Sequence, residues 1–582
     1  MPEKATTGGN WWDRLGKPDY GGEMVIRSKR DIVNFDPYFA ENLTTIQSAW
    51  MERLHVDDWT LDPAVYDYRM RVRPDRYVKG HLAESWEFTD PSTYVIHLRK
   101  GIHWQDIPPV NGREFTADDV AYHYQRLFGL GSGMAPSPYH ATLVTAYRYL
   151  LSVTAVDKYT VAFKWKVANP EFIRETLQAN ALVQCLEARE AVEKWGDVSD
   201  WHHAMGTGPF ILQNFIPGSS ATLVKNISYW GYDERYPQNN LPYVDKLKIL
   251  IIPDDATALA AMRAGKIDII EGISLEQAQE IQKTNPEILQ FPSPSSVETI
   301  DPRNDKPPFN DIRVRKAMQM AIDLTTIAKT YYGGNADPNP SPLTSKYMIG
   351  WGLPYENWPQ DLKDEYTYNP AAARKLLADA GYRNGFQTNI VADAAGDLGL
   401  LHVVQSYFTQ VGIDMEIRPV ETATWMSFVK SGHKHDQLAQ RTGQGQLGLS
   451  YEPIRHLNGL MTGYPHNYMM VSDPIFDGFY NKAMVASGVD DTKKIVRDAN
   501  EYVARQHFTI SLCQTNTYSL YQPWLKGYTG QNGATSAETG GPQLLFFYPA
   551  RFWIDRKLKK SMGHQVKGHE IIDSFLKIGG MK

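Results

Sequence analysis

Three successive segments restrict the fold of this chain more than any others. Asn389–Val391 reads as a short strand, Leu400–Gln410 repeats apolar residues at helical spacing, and Ile413–Ile417 alternates apolar with charged residues. Strand, helix and strand in that order make a βαβ unit, whose two strands must run parallel. A parallel pair has to be covered by helices, so the unit demands an α/β layered architecture with parallel or mixed sheets.

The rest of the chain keeps the same rhythm. Met24-Val25-Ile26 reads as a first strand, and Tyr94, Ile96 and Leu98 alternate with Val95, His97 and Arg99 as in a half-exposed strand. Thr116 opens a helix with a capping box to Asp119. Asp255–Arg263 is an Ala-rich helix stopped near Gly265, with a strand expected over Ile267–Ile270. Ser274 to Gln277 is a second capping box. Asp311 caps an amphipathic helix carrying Val314, Ala317, Met318, Ala321 and Ile322, with Arg313 and Arg315 expected to stay wet. Asn369-Pro370 supplies an N-cap and an N1 proline, and Gly381 a stop.

Charge and composition exclude several classes of partner. The chain of 582 residues has a net charge of −6 and no basic run, which argues against nucleic acid and anionic membrane. No apolar stretch approaches the ~18 residues that a spanning helix needs. The opening MPEKATTGGNWWDRLGKPDYGG has no basic region followed by an apolar core, so it does not read as a signal peptide. Residues 1–21 are expected to form a polar tether or arm. The only cysteines, Cys185 and Cys513, read as buried thiols or as one bridge. Aromatic residues make up 12%, enough to line a ligand cleft as well as a core.

No motif carries enzyme chemistry. Gly443-Gln-Gly-Gln-Leu-Gly448 matches G-x-G-x-x-G, but Ser450-Tyr-Glu-Pro453 does not open a dinucleotide-type helix, so an adaptable loop is the better reading. His433-Lys-His435-Asp436 lacks a structural-zinc spacing and reads as a polar turn. Trp201-His202-His203 reads as a surface or hinge pair. G-x-S-x-G, H-E-x-x-H, Walker A and C-x-x-C patterns are all missing from the sequence, and neither cysteine has a histidine nearby. The expectation is a binding protein, not an enzyme, with no cofactor and no metal.

Four strings in order carry a resemblance. They are LAESWEFTDPSTYVIHLRKGIHW with NGREFTADDVAYHYQRLF (Leu82 to Phe128), GTGPFIL (Gly206–Leu212), YVDKLKILIIPDDATALAAMRAGKIDI (Tyr243–Ile269), and PPFNDIRVRKAMQMAID with YNPAAARKLLADAGY (Pro307 to Tyr382). Together they resemble the extracellular solute-binding proteins of family 5, the oligopeptide/dipeptide-binding type that feeds ABC importers. The resemblance implies a two-lobed α/β fold of the periplasmic-binding-protein, cluster C kind, with mixed sheets and three domains. Lobe 1 would comprise residues 22–52, 205–292 and 512–582, with residues 53–204 inserted as its second domain and residues 293–511 forming lobe 2. Crossing segments near 290 and 512 would form the hinge.

A peptide or other small organic solute would sit between the lobes, and a membrane permease would be the partner. The protein would be a monomer on the periplasmic or extracellular face, touching membrane only through a lost lipid anchor or the permease. The chain departs from peptide-binding members at one point. Where those carry an aspartate for the peptide ammonium, shortly before an Asn-Glu-Pro-like string, this chain has Leu449, or a glycine if the loop is shifted, with Arg441 upstream and Glu452 able to substitute as the acid. The expected ligand contacts are Tyr38, Trp425, Arg441, Gln444, Gln446 and Glu452. The aromatic content and Gln440, Gln444 and Gln446 suit an oligosaccharide as the alternative solute.

Overall fold

The computed structural model describes residues 10–39, 47–66, 75–131, 133, 135–138, 145–179, 185–343, 348–441, 453–531 and 548–562. The first strand, β1 (Glu23–Ser28), is buried at all but its first residue. A separate antiparallel sheet follows, from β2 (Ala83–Asp90), β3 (Thr93–Leu98), β4 (Leu150–Asp157) and β5 (Thr160–Trp165), in the order β2-β3-β5-β4. Helix α1 (Ala117–Phe128) packs on β4 and β5, and α2 (Pro170–Ala179) comes after them. The α1 start has the expected Thr116/Asp119 capping box, and Gly129 ends the helix at φ 67° in the left-handed region.

Among the described residues the main sheet has eleven strands. Its members are β1, β6 (Phe210–Ile216), β7 (Ser220–Lys225), β8 (Lys246–Ile251), β9 (Ile269–Ile273), β10 (Leu289–Pro302), β11 (Phe386–Asp393), β12 (Ile413–Val420), β13 (Leu438–Arg441) and β14 (Ile510–Tyr521), with the two-residue strand Ala336–Asp337 beside β14. The order is β12-β11-β13-β10-β14-β9-β1-β8-β7-β6. Helices α3 (Asp255–Arg263), α4 (Leu275–Thr284), α5 (Ile312–Met320), α6 (Pro370–Asp379), α7 (Leu398–Gln410), α8 (Pro474–Met484) and α9 (Val489–Gln506) complete the frame used below. The βαβ unit is present as β11-α7-β12, parallel from Phe386↔Ile413 to Asp393↔Val420. The strand expected at Ile267 begins two residues later, at Ile269; the Asp268 carboxylate just before it accepts from the Val25 N–H (2.7 Å) and Trp524 Nε1 (2.6 Å).

The sheet has two ends, and each end has its own core. Met24, Ile26, Leu223, Leu247 and Ile249 belong to the first lobe's cluster, and Ile300, Val314, Leu400, Val404 and Ile413 to the second's. The four-stranded sheet is fastened to the first lobe by buried polar groups. Arg126 of α1 meets Asp36 at 2.6 Å and Glu187 at 3.0 Å, with all three side chains no more than 1% exposed. Glu52 accepts from Tyr229 Oη (2.7 Å) and Trp230 Nε1 (2.9 Å) and pairs with His81 (2.7 Å).

Arg315 corrects the sequence expectation. It is buried, and its guanidinium donates to the carbonyls of Phe309, Gln506 and His507. It thereby satisfies carbonyls that α9 leaves bare at its C-terminus. Burial lowers its pKa to about 10, so it remains a cation at neutral pH. Of the arm expected over residues 1–21, the described part, residues 10–21, docks on the first lobe. Trp11 Nε1 donates to Thr60 O (2.9 Å), Tyr236 Oη to Gly16 O (3.0 Å), and Arg556 pairs with Asp19 (3.1 Å). Cys185 lies in the first lobe's core and Cys513 in the second's; both thiols are free, and burial pushes each up to about 12.

The Gly206-Thr-Gly-Pro209 turn explains its own glycines. The Gly208 N–H donates to Trp50 O (2.9 Å), and the Gln105 N–H donates to Gly206 O (2.9 Å). A Cβ on Gly206 would lie 1.8 Å from Trp50 O, which no L side chain can tolerate. Gly206→Ala is therefore expected to destabilise the protein by about 1–3 kcal/mol, the usual cost of forced overpacking. A urea titration checks this, and an unchanged midpoint would mean that the two segments separate freely.

Candidate functional site

The site is built from the narrowest part of the main sheet. Between Pro292 and Glu298, β10 pairs with β14 alone among the described residues, because β13 joins β10 only from Thr299 to Pro302. On the other flank of β14, β9 meets only the Tyr518–Tyr521 end. Two long strands thus carry the sheet across its middle, with only the two-residue strand Ala336–Asp337 beside β14, at Thr515 and Gln514. Pro292 and Pro294 sit here opposite Tyr518 and Asn516. They have the same parity, so their missing N–H groups fall on one strand edge, which is tolerable where no further strand has to pair. Register shifts at Pro294/Val297 and Val297/Thr299 break the ladder at the same place. Such bulges bend a strand and loosen its pairing, as a hinge requires.

On the second lobe, β13 runs antiparallel to β10, with Arg441 opposite Thr299 and Gln440 opposite Ile300. Gln440 is buried, with Nε2 3.5 Å from Asp397 O. The Asp397 carboxylate accepts from Tyr331 Oη (2.6 Å) and Tyr332 Oη (3.0 Å). Burial and the adjacent Asp397 charge push both phenols above their ordinary range, so they stay protonated donors. Trp425 ends the turn Thr422–Trp425, which is capped by Glu421 and runs into a π-helical turn over Met426–Lys430. Its ring is 5% exposed and meets Tyr468 edge-on at 5.7 Å, and Tyr468 Oη donates to Asp301 (2.9 Å). Trp425 Nε1 has no acceptor among the described residues.

The expected contacts are placed unevenly. Trp425 and Tyr38 fall in one apolar cluster, which also takes Tyr94, Trp165 and Phe172 from the first lobe and Tyr468, Met469 and Tyr480 from the second. The Tyr38 hydroxyl is already used, donating to Ala135 O at 2.5 Å, and its ring lies 4.8 Å from the Arg126 guanidinium. Arg441 closes β13, but its side chain lies outside the described residues, as do Gln444, Gln446 and Glu452 and the whole G-x-G-x-x-G string. His433 Nε2 is bonded to Pro465 O (3.0 Å). Burial, reinforced by Arg303, holds the His435 imidazole at about 3, so it is neutral at physiological pH. Among the described residues no group of three or more His, Cys, Asp or Glu is arranged to hold a metal ion, and no helix is long and apolar enough to cross a membrane.

Comparison with known proteins agrees with this architecture. Residues 77–449, well over half of the chain, match the family described as "Bacterial extracellular solute-binding proteins, family 5 Middle". The heme-binding protein A of Haemophilus influenzae is 26% identical over 475 residues, covering 78% of this chain and 81% of that protein. The dipeptide-binding protein of Escherichia coli is 26% identical over 384 residues, covering 62% and 67%. Among solved structures, the periplasmic binding protein DppA of Helicobacter pylori in complex with the peptide STSA superposes with a TM-score of 0.69 at 21% identity, over 93% of this chain and 99% of that one. The substrate-binding protein CtaP of Listeria monocytogenes gives 0.72 at 17% identity, over 92% and 100%. The α/β, two-lobed fold expected from the sequence is the fold these proteins share. The chain belongs to the bacterial extracellular solute-binding proteins of family 5.

Proposed function

We propose that this protein captures a peptide or another small organic solute between its lobes and delivers it to the permease of an ABC importer. The observation that carries the reading is the waist formed by the narrow, bulged stretch of β10 at Pro292–Glu298, on either side of which the main sheet has its own core, so that the two ends can rock about it. The division into residues 22–52 with 205–292 and 512–582, an inserted 53–204, and 293–511 is part of this reading, as are a monomeric state and a periplasmic or extracellular location. Relatives named for heme and dipeptides, and a structural neighbour holding a peptide, support a small organic solute.

Arg441 narrows the class. A guanidinium in a closing cleft has to be paired, and its planar fork suits a carboxylate. We infer that the solute carries an anionic group, met by Arg441 at the end of β13, with Trp425 supplying a flat apolar wall. Mass spectrometry of the small molecules released when the purified protein is denatured tests this. A carboxylate-bearing peptide or organic acid is expected, whereas a neutral glycan would overturn the Arg441 assignment.

A further inference from the structure

One amide joins two helix ends across the lobes. Asn169 immediately precedes α2, and its Oδ1 accepts from the Phe172 N–H at 3.1 Å, an N-cap bond. Its Nδ2 donates at 2.7 Å to Ala483 O, in the last turn of α8. Asn169 is wholly buried. Its oxygen faces a donor and its nitrogen an acceptor, so the amide orientation is fixed by the chemistry of its neighbours. The positive end of α2 thereby meets the negative end of α8, a favourable dipole arrangement. One turn earlier on the same face of α8, Tyr480 is 5% exposed, and burial pushes its phenol above the ordinary range, with Tyr149 and Arg148, beside the four-stranded sheet, among the groups that act on it. Arg148 also donates to Tyr149 Oη at 2.7 Å. None of these residues is among the expected solute contacts, and all lie away from the waist in the chain.

We propose that Asn169 is a positioning residue for closure, capping α2 and α8 at once so that the lobes close on each other before any solute arrives. It rests on the two-lobe reading above. A protein that already populates its binding-competent state binds more tightly in proportion to that population, so Asn169 sets affinity without touching solute. Only an asparagine does both jobs at this length. Serine keeps the N-cap but cannot reach Ala483. Aspartate keeps the cap but offers a carboxylate to a carbonyl.

Small-angle scattering of the full chain, stripped of small molecules by dialysis in denaturant and refolded, tests the proposal. Losing one inter-lobe hydrogen bond of ordinary strength should lower the closed-to-open ratio about two- to tenfold. Asn169→Ser is expected to enlarge the radius of gyration over wild type with circular dichroism and melting temperature nearly unchanged because the cap survives, and Asn169→Asp to enlarge it as well while lowering the melting temperature, because its carboxylate faces the Ala483 carbonyl in a buried position. Asn169→Ala should expand the protein and lower its melting temperature as well. Identical scattering from wild type, Asn169→Ser and Asn169→Asp, all folded, would overturn the proposal. Failure of the underlying reading looks different: wild type would then not compact when the small-molecule fraction released from the same preparation is added back.

Discussion

Arg126→Ala is expected to destabilise the protein by about 3–5 kcal/mol, the cost of leaving buried charge unpaired. The guanidinium makes three bonds, two to Asp36 (2.8 and 2.6 Å) and one to Glu187 (3.0 Å), and truncation removes the cation from Asp36 and leaves Glu187 with His123 alone. The Asp36 carboxylate also accepts from the backbone N–H groups of Tyr38 (2.9 Å) and Val198 (3.0 Å), so its displacement would disturb three chain segments. Guanidinium unfolding followed by circular dichroism measures the loss, and a change under about 1 kcal/mol would contradict this account of how the four-stranded sheet is fastened. The pair also makes stability depend on acid. Burial opposes the Glu187 charge, but His123 and Arg126 outweigh it and hold the carboxyl at about 2. A depressed folded-state pKa contributes stability above the unfolded value of about 4.3, and that stability is lost as pH falls toward 2.

Arg441→Ala should weaken solute binding by about 1.5–3 kcal/mol, the range for a hydrogen bond to a charged group. Arg441→Lys should recover only part of this, because a single ammonium cannot reproduce the bidentate fork. Register puts Arg441 opposite Thr299, at the last ladder rung before the waist, so its backbone is fixed where the lobes meet. Calorimetry with the co-purifying solute reads the effect. Unchanged affinity in the alanine variant would remove Arg441 from the site and leave the Glu452 acid as the charged candidate.

What could be read in the sequence was local. Helix starts at Thr116, Ser274 and Asn369 and the β11-α7-β12 crossover follow from residues within a few positions of one another, and all appear in the structure. Long-range pairing was not legible in the same way. Arg315 looked like a wet helix-start cation because its carbonyl partners at Gln506 and His507 lie 191 and 192 residues away. Asn169-Pro170 has the same signature as Asn369-Pro370, yet its second partner, Ala483, is 314 residues distant. Trp425 was named from its place before the loop, but its contact with Tyr468 and the link from Tyr468 to Asp301 depend on how three separate segments pack. Family strings located the scaffold because they are scaffold: Gly206 and Gly208 serve a backbone approach to Trp50, not a solute.

Closure on solute is the central claim, and scattering with a parallel melting curve measures it most directly. Adding the co-purifying solute back to the stripped protein should reduce the radius of gyration and raise the melting temperature. At about 100 times Kd the stabilisation should be about 2.7 kcal/mol. Solute that binds tightly by calorimetry yet leaves the scattering curve unchanged would contradict the two-lobe capture mechanism.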